Sequence, residues 1–425
     1  MQHRALTAYL NPEFHIKHEA AKCVACGLCL PHCPTYELLH DEAESPRGRL
    51  SLMLALARND LPLNAKLESH LARCLDCRAC EKVCPSNVAY GLALDSVRHL
   101  IESRRASGTK PVNRSARLIQ WLVEKPIRMR ILGKILRLYQ GTGLQWLLRK
   151  SHVLRLVGLT RLDNAIPKLA PQKRFTEIYP AHKKAKGRVA IFTGCQANLA
   201  DQQTLASSIR LLNRLGYEVH IPPDQVCCGA LHLHDGQARK ATELMRQNTN
   251  AFTNGNDAII SVASGCAATL GEYGKYLDDK ESAQKFSGRI MDISQFLAGI
   301  SWPKDISFRP LPGHIAIHDP CTLTNVLRQE DKPYALLAKI PGAEIFSLPE
   351  NKVCCGAAGA YHLTETQLAE QLRVPKIDHL KRLAPDILVT SNPGCATFLA
   401  AGLREAGLTI EVVHPVTLLE RQLEK

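Results

Sequence analysis

No run of about 18 consecutive uncharged apolar residues occurs anywhere in the 425 residues, so nothing in the sequence reads as a spanning helix. The first residues, MQHRALTAYLNPEFHIKHEAAK, lack an apolar core and a small-residue cleavage site, which argues against a secretory signal. Aromatics are scarce, at 5%. With no recognisable nucleic-acid-binding fold, that scarcity argues against base stacking as the purpose of the chain's positive charge. Cysteine is too dilute for a small disulfide scaffold: 16 residues, where such scaffolds pass ~8–10% of a short chain. Apolar content of 45% and charged content of 22% exclude global disorder, and 50 Gly and Pro residues exclude a collagen-like or low-complexity chain. Length alone suggests two to four domains at about 100–200 residues each. What remains to be explained is the 16 cysteines and the net charge of +14.

Cysteines without an export signal read as metal ligands or redox groups in a reducing compartment. The expectation is a cytoplasmic protein, peripheral on the inner face of the membrane. The first eight cysteines fall in two runs, Cys23, Cys26, Cys29, Cys33 and Cys74, Cys77, Cys80, Cys84. Each run is C-x2-C-x2-C-x3-C-P, the two-cluster ferredoxin spacing, in which the fourth cysteine ligates the other cluster. That rule assigns Cys23, Cys26, Cys29 and Cys84 to one 4Fe–4S cluster. It assigns Cys33, Cys74, Cys77 and Cys80 to the second. Zinc also takes four thiolates, but a doubled C-x2-C-x2-C-x3-C-P is not its usual spacing.

About forty residues separate the runs. Ser45 and Pro46 read as the N-cap and first position of a helix, followed by helices over Ala65–Ala72 and Gly91–Arg104. The helical spacing puts Leu94, Val97, Leu100 and Ile101 on one face of the last. Arg47 and Arg49 read as solvated first-turn arginines.

The other eight cysteines form a repeat. Cys195, Cys227, Cys228 and Cys266 recur as Cys321, Cys354, Cys355 and Cys395, at offsets of 126 to 129 residues. VAIFTGC parallels IAIHDPC, QVCCGA parallels KVCCGA, and both fourth cysteines end a β-branched run. The pattern predicts strands within 189–195, at 218–221, within 257–266 and at 289–293, and again within 315–321, at 344–348, within 385–395 and at 409–415. Helices over Leu205–Leu215 and Tyr334–Lys339 alternate with them, which argues for parallel sheets with the cysteines at strand C-terminal ends. Adjacent thiols reach one site only if the backbone turns sharply, and Gly229 and Gly356 permit that turn. Four thiols per repeat suffice for one further iron–sulfur cluster each. His232, His234, His318 and His362 lie near these motifs and read as ordinary hydrogen-bonded histidines.

The basic excess has one address. Residues 101–188 hold 21 Lys and Arg against four acids, and the rest of the chain is slightly acidic. Within this segment, 118–140 and 144–159 interleave apolar and basic residues at helical spacing and carry Trp121 and Trp146. Such helices suit a membrane interface, a docked partner or the chain's own surface.

The paired ferredoxin motifs, the DEAESPRGR segment (41–49) and the two Cys-Cys-Gly repeats resemble the iron–sulfur subunits of glycolate oxidase (glycolate dehydrogenase). Related are the iron–sulfur subunits of D-lactate and anaerobic glycerol-3-phosphate dehydrogenases and the heterodisulfide reductase catalytic subunit. The resemblance implies an electron-transfer subunit of a 2-hydroxy-acid oxidoreductase that takes electrons from an FAD-containing partner towards membrane quinone, without turning over substrate itself. No G-x-G-x-x-G follows a strand. The heterodisulfide reductase pattern ends in C-x2-C, whereas here single cysteines, Cys266 and Cys395, end the repeats. A catalytic cluster of that kind, or a zinc-dependent interaction module, is the rival reading. The expected architecture is multidomain: an α-helical two-cluster ferredoxin-like unit (1–105), a basic helical connector (106–186), and duplicated α/β Cys-Cys-Gly units (187–307 and 308–425).

Overall fold

The computed structural model describes residues 11–106, 114–156, 158–182, 184–253 and 255–424. The first ten residues of the expected ferredoxin-like unit and residues 107–113 of the expected connector lie outside them.

Short side chains start the first helices. Asn11 accepts from the Phe14 amide and opens Pro12–Ala21; Ser45 accepts from the Gly48 amide at 2.9 Å and opens Pro46–Arg58; Asn64 opens Ala65–Ala72. Asn59, in the left-handed region, closes the second of these. Helix Tyr90–Ala106 follows the second cysteine run. Ile16, Met53, Leu56, Leu94 and Val97 are buried between these helices, each side chain contributing about 1.5–3 kcal/mol by leaving water. Glu19 is buried among them and accepts from the Ala89 amide at 2.7 Å, which ties Pro12–Ala21 to the start of the last helix.

The basic segment folds into helices Arg114–Glu124, Pro126–Gly141, Leu144–Lys150, Val153–Leu156 and Thr160–Ala165. Pro126 breaks the first periodic stretch in two, since proline is tolerated at a first turn but not inside a helix. Asp163 gathers the segment: it is buried and accepts from Tyr139 Oη at 2.8 Å, Gln145 Nε2 at 2.9 Å and Arg149 Nε at 2.5 Å.

Two open sheets follow. The first contains β1 (Ile178–Tyr179), β2 (Gly187–Phe192), β3 (Tyr217–His220), β4 (Ala258–Ser261) and β5 (Ile290–Asp292), ordered β1-β3-β2-β4-β5. The second contains β6 (Gly313–Ile317), β7 (Ala343–Ser347), β8 (Ile387–Val389) and β9 (Glu411–Val413), ordered β7-β6-β8-β9. All pairings are parallel except β1 with β3. The two-residue edge strand β1 has no counterpart in the second sheet among the described residues, and it is too short to carry a period in the sequence. In both sheets the strand that leads to the first cysteine lies centrally, with β3 and β4, or β7 and β8, on either side. The chain therefore crosses over in opposite directions from it, which opens a crevice at the strand C-terminal ends.

The repeats pack about a pseudo-twofold relation. Helix Gln202–Arg214 of the first lies against the last helix, Pro415–Gln422, with Thr204 Oγ1 2.9 Å from Thr417 Oγ1. Helix Ile293–Gly299 lies in the equivalent way against Asp331–Leu337. Val189, Ile191, Ile315, Ile317 and Val389 therefore share one core. Among the described residues, no helix is long and apolar enough to cross a membrane.

Candidate metal centres

The two C-x2-C-x2-C loops are built alike. In each, the third and fifth residues take positive φ: Ala25 (53°) and Gly27 (83°) in the first, Asp76 (51°) and Arg78 (59°) in the second. Left-handed residues at these two points curl each loop upon itself. Three of the four are not glycine, so the conformation is imposed by the loop and not by residue preference.

Two cavities result. Cys23, Cys26, Cys29 and Cys84 line one together with Gly27 and Arg47. Cys33, Cys74, Cys77 and Cys80 line the other together with Arg49 and Tyr90. Each cavity thus receives three cysteines from one run and the last cysteine of the other. Four convergent thiols with few competing acceptors are a donor set that fits an iron–sulfur cube. Burial pushes the thiols of Cys74, Cys77 and Cys80 up, so each keeps its proton at neutral pH unless a metal displaces it. The cavities differ in exposure. Cys26 is exposed, with Val24 71% and Leu28 56% exposed beside it, whereas Cys33 is buried.

Around Cys33 lies a polar network that spacing did not announce. Thr35 Oγ1 is 3.4 Å from Cys33 Sγ and donates to the Glu44 carbonyl. Arg49 is buried, not solvated. It pairs with the fully buried Glu44, donates to Thr35 Oγ1 at 2.8 Å and to the His70 carbonyl at 2.7 Å, and its Nη1 stands 4.0 Å from Cys33 Sγ. Glu44 also holds His70 Nδ1 at 2.7 Å and Arg73 Nη1 at 2.9 Å. The reason is positional: Arg49, Met53 and Leu56 fall at i, i+4 and i+7, on the buried face. Arg47 is the more exposed of the two; it pairs with Glu42 at 2.7 Å and donates to the Ala25 carbonyl at 3.1 Å, bracing the first loop.

In the repeats, the sulfurs form two equivalent rows. Cys321 Sγ is 3.9 Å from Cys354 Sγ, Cys354 and Cys355 are neighbours, and Cys355 Sγ is 3.2 Å from Cys395 Sγ. Cys195, Cys227, Cys228 and Cys266 are linked in the same order in the first repeat. All eight stand just past strand C-terminal ends. Gly229 and Gly356 both sit at φ 88°, and a Cβ would come within 3.3 Å of the Ala241 carbonyl and 2.7 Å of the Ala369 carbonyl. Each glycine therefore serves both the turn and the close passage of the next helix.

The surroundings of the two rows are unlike. In the first, Phe192, Tyr273 and Met245 pack with Cys227 and Cys228, and the connector adds Val123 and Met129. Asn248 fixes the Cys-Cys turn by donating to the Cys227 carbonyl at 3.0 Å. The second row has His318 and Lys376, both buried. Burial and the nearby Lys376 hold the His318 imidazole well below its usual range, hence neutral at pH 7.

The rows and the second cavity are neighbours. Cys354 packs with Leu75 and Cys77, and Asn325 Nδ2 donates to the Cys77 carbonyl at 2.8 Å. Ser264 Oγ is 2.8 Å from Thr322 Oγ1, so the helix carrying Cys266 meets the turn after Cys321. The first repeat grips the same ferredoxin loop: His234 Nδ1 is 3.1 Å from Asp76 and 3.2 Å from Asp95, and Arg78 Nη1 is 2.9 Å from Glu272. His232 pairs with Glu124 at 3.3 Å, and Gly359 holds His362 through its backbone, so these two and His234 are hydrogen-bonded as expected.

Comparison with known proteins finds matches along most of the chain. Residues 19–88 match the family described as 4Fe-4S dicluster domain, and 189–271 and 315–400 each match Cysteine-rich domain. Residues 114–165 match the linker region of the glycolate oxidase iron-sulfur subunit. A probable glycolate oxidase iron-sulfur subunit of Bacillus subtilis is 35% identical, over 94% of this chain and 93% of its own. A glycolate oxidase iron-sulfur subunit of Escherichia coli is 32% identical, over 95% and 94%. A lactate utilization protein A of Geobacillus thermodenitrificans is 28% identical, over 55% of this chain and 99% of its own.

Proposed function

The chain belongs to the glycolate oxidase iron–sulfur subunit family, and from that premise we propose that it carries electrons from an FAD-containing 2-hydroxy-acid dehydrogenase partner towards membrane quinone. Iron–sulfur clusters, when bound, supply the one-electron storage such a role requires. Cys23, Cys26, Cys29 and Cys84 would hold one 4Fe–4S cluster, and Cys33, Cys74, Cys77 and Cys80 the other. The exchange of the fourth cysteine between the two cavities is the observation that carries this reading. Cys195, Cys227, Cys228 and Cys266 would hold a third centre, and Cys321, Cys354, Cys355 and Cys395 a fourth. The division into units at 105/106, 186/187 and 307/308 belongs to the same proposal, supported by the two separate sheets.

What the chain's own residues do follows from their placement. Arg49, Thr35 and Tyr90 surround the second cavity; the arginine's charge opposes the build-up of negative charge there, and the buried Glu44 anchors the arginine. The exposed Val24 and Leu28 beside Cys26 offer a small apolar contact where a partner protein can approach the first cavity. The basic connector presents Trp121, Ile131, Ile135, Leu138 and Trp146 outwards, with Arg128 4.0 Å from the centre of the Trp121 ring. Apolar side chains fringed by cations fit an anionic lipid surface.

Co-purification followed by iron, sulfide and zinc analysis tests the reading. A flavoprotein should co-purify, with at least eight irons per chain; twelve or about sixteen would assign one or both repeats, at four irons per cube. A colourless protein with zinc and no sulfide would remove the electron-transfer role.

A further inference from the structure

Resting on the reading that the second repeat holds an iron centre, we infer that His318 is a nitrogen ligand to it, so that the two repeats carry chemically different centres: thiolates alone in the first, thiolates with an imidazole in the second. The histidine ends up there by strand register. The first cysteines of the repeats are Cys195 and Cys321, and three residues before each stand Phe192 and His318. Both side chains emerge at the C-terminal end of the central strand and both are 1% exposed. In the first repeat this place is filled by an aromatic ring that packs on Phe252, with centroids 6.2 Å apart.

In the second repeat a ring with two nitrogens fills it, and only one is used. His318 Nδ1 is 3.0 Å from Thr390 Oγ1, a contact that fixes the ring's orientation. Among the described residues, Nε2 has no hydrogen-bond partner. A buried, unpaired polar atom costs about 1–3 kcal/mol, so a fold that keeps one has a use for it or a group to satisfy it. A ring nitrogen of His318 and the sulfurs of Cys355 and Cys395 lie within 4.8 Å of one another, a spacing at which one centre can take all three as ligands. An imidazole locked at one nitrogen and free at the other is the usual arrangement of a metal-bound histidine.

The charge balance points the same way. Lys376 is buried in the same repeat, its ammonium donating to the Glu350 carbonyl at 3.1 Å and its charge felt by Cys354, Cys355 and Cys395. At the corresponding place the helix of the first repeat presents Asn248, which is committed to the Cys-Cys turn. An added imidazole brings no further negative charge to the centre, and the Lys376 ammonium beside the cysteines favours its reduced state. The centre in the second repeat is therefore the more easily reduced of the two.

The full-length chain, isolated anaerobically with histidine labelled by nitrogen-15, reads this out directly. Pulsed electron–nuclear double resonance of the reduced protein should show the strong coupling of a directly bound histidine nitrogen. The coupling should vanish in His318→Phe, which installs the residue of the first repeat, and in His318→Gln, which keeps a polar group should the first variant fail to fold. A redox titration of the variant that folds should move one centre to lower potential and leave the others in place. Labelled protein with about sixteen irons and no histidine coupling overturns the ligand while leaving the cluster in place, as does a coupling that persists in the variants. A count of eight irons, with or without zinc, overturns the iron centre in the repeat and the ligand with it.

Discussion

Glu44 and Arg49 form the most consequential pair of single residues outside the cysteines. Both are buried, and Glu44 also holds His70 and Arg73, so the four side chains close a network beneath Cys33. Replacing Arg49 by Leu leaves a buried carboxylate short of its closest partner. Such a loss costs about 3–5 kcal/mol, and it should appear as a lowered denaturation midpoint together with loss of iron from the cavity lined by Cys33. Replacing Arg47, which is more exposed, should shift the midpoint far less, as is usual for surface ion pairs; equal effects of the two substitutions would refute the distinction. The cysteines were legible in the sequence because their spacing is itself the chemistry. Arg49 was legible in principle, since it shares the helix face of Met53 and Leu56, but arginine's usual exposure hides that signal. Thr35 and Tyr90 were not legible: their place beside Cys33 and Cys74 arises from tertiary packing, and no local period encodes it.

At the level of elements, the strand-to-cysteine connections read clearly. β2, β4, β6 and β8 end where their β-branched runs end, because a buried parallel strand needs an uninterrupted apolar run and leaves it visible. The edge strand β1 and the break at Pro126 did not follow from the apolar pattern; the first is too short, and the second depends on proline's chemistry. The two Cys-Cys-Gly turns allow a graded test. Alanine at either glycine must adopt positive φ, which costs ~1–2 kcal/mol. At Gly356 the added Cβ also meets the Ala369 carbonyl at 2.7 Å, against 3.3 Å to Ala241 from Gly229. Gly356→Ala should therefore destabilise more than Gly229→Ala in chemical denaturation; the reverse order would mean that the second turn relaxes freely. In the connector, Asp163 joins separate helices through buried hydrogen bonds. Burial alone would raise its carboxyl, but hydrogen bonds from Gln145, Arg149 and Tyr139 outweigh that and lower it. Asp163→Asn gives up charge-assisted bonds at a cost of about 1.5–3 kcal/mol, measurable as earlier proteolysis within 126–165 while the sheets stay protected.

On the scale of the whole molecule, the connector has two unlike faces. Val123 and Met129 pack inwards with Cys227 and Cys228, while Ile131, Ile135 and Leu138 face outwards. Deleting the segment would uncover the first repeat and confuse the two. Charged substitutions on the outer face separate them: Ile131→Glu with Ile135→Glu and Leu138→Glu should weaken binding to anionic vesicles at least about tenfold, since each apolar side chain is worth ~1.5–3 kcal/mol when buried. Flotation with vesicles measures it. Binding that survives all three changes would turn this face from lipid to a protein partner. The exchange of Cys33 and Cys84 between cavities reaches further, into biosynthesis. The second cavity has four sulfurs once Cys80 is made, but the first waits for Cys84, 55 residues after Cys29. At about 5–20 residues per second that is an interval of roughly 3–11 s, during which three-cysteine loops are exposed to oxidants and to the wrong metal. Chains arrested before residue 80 should bind no stable cluster at either loop. The interlock ties both sites to the second cysteine run, so neither can mature before translation has passed it.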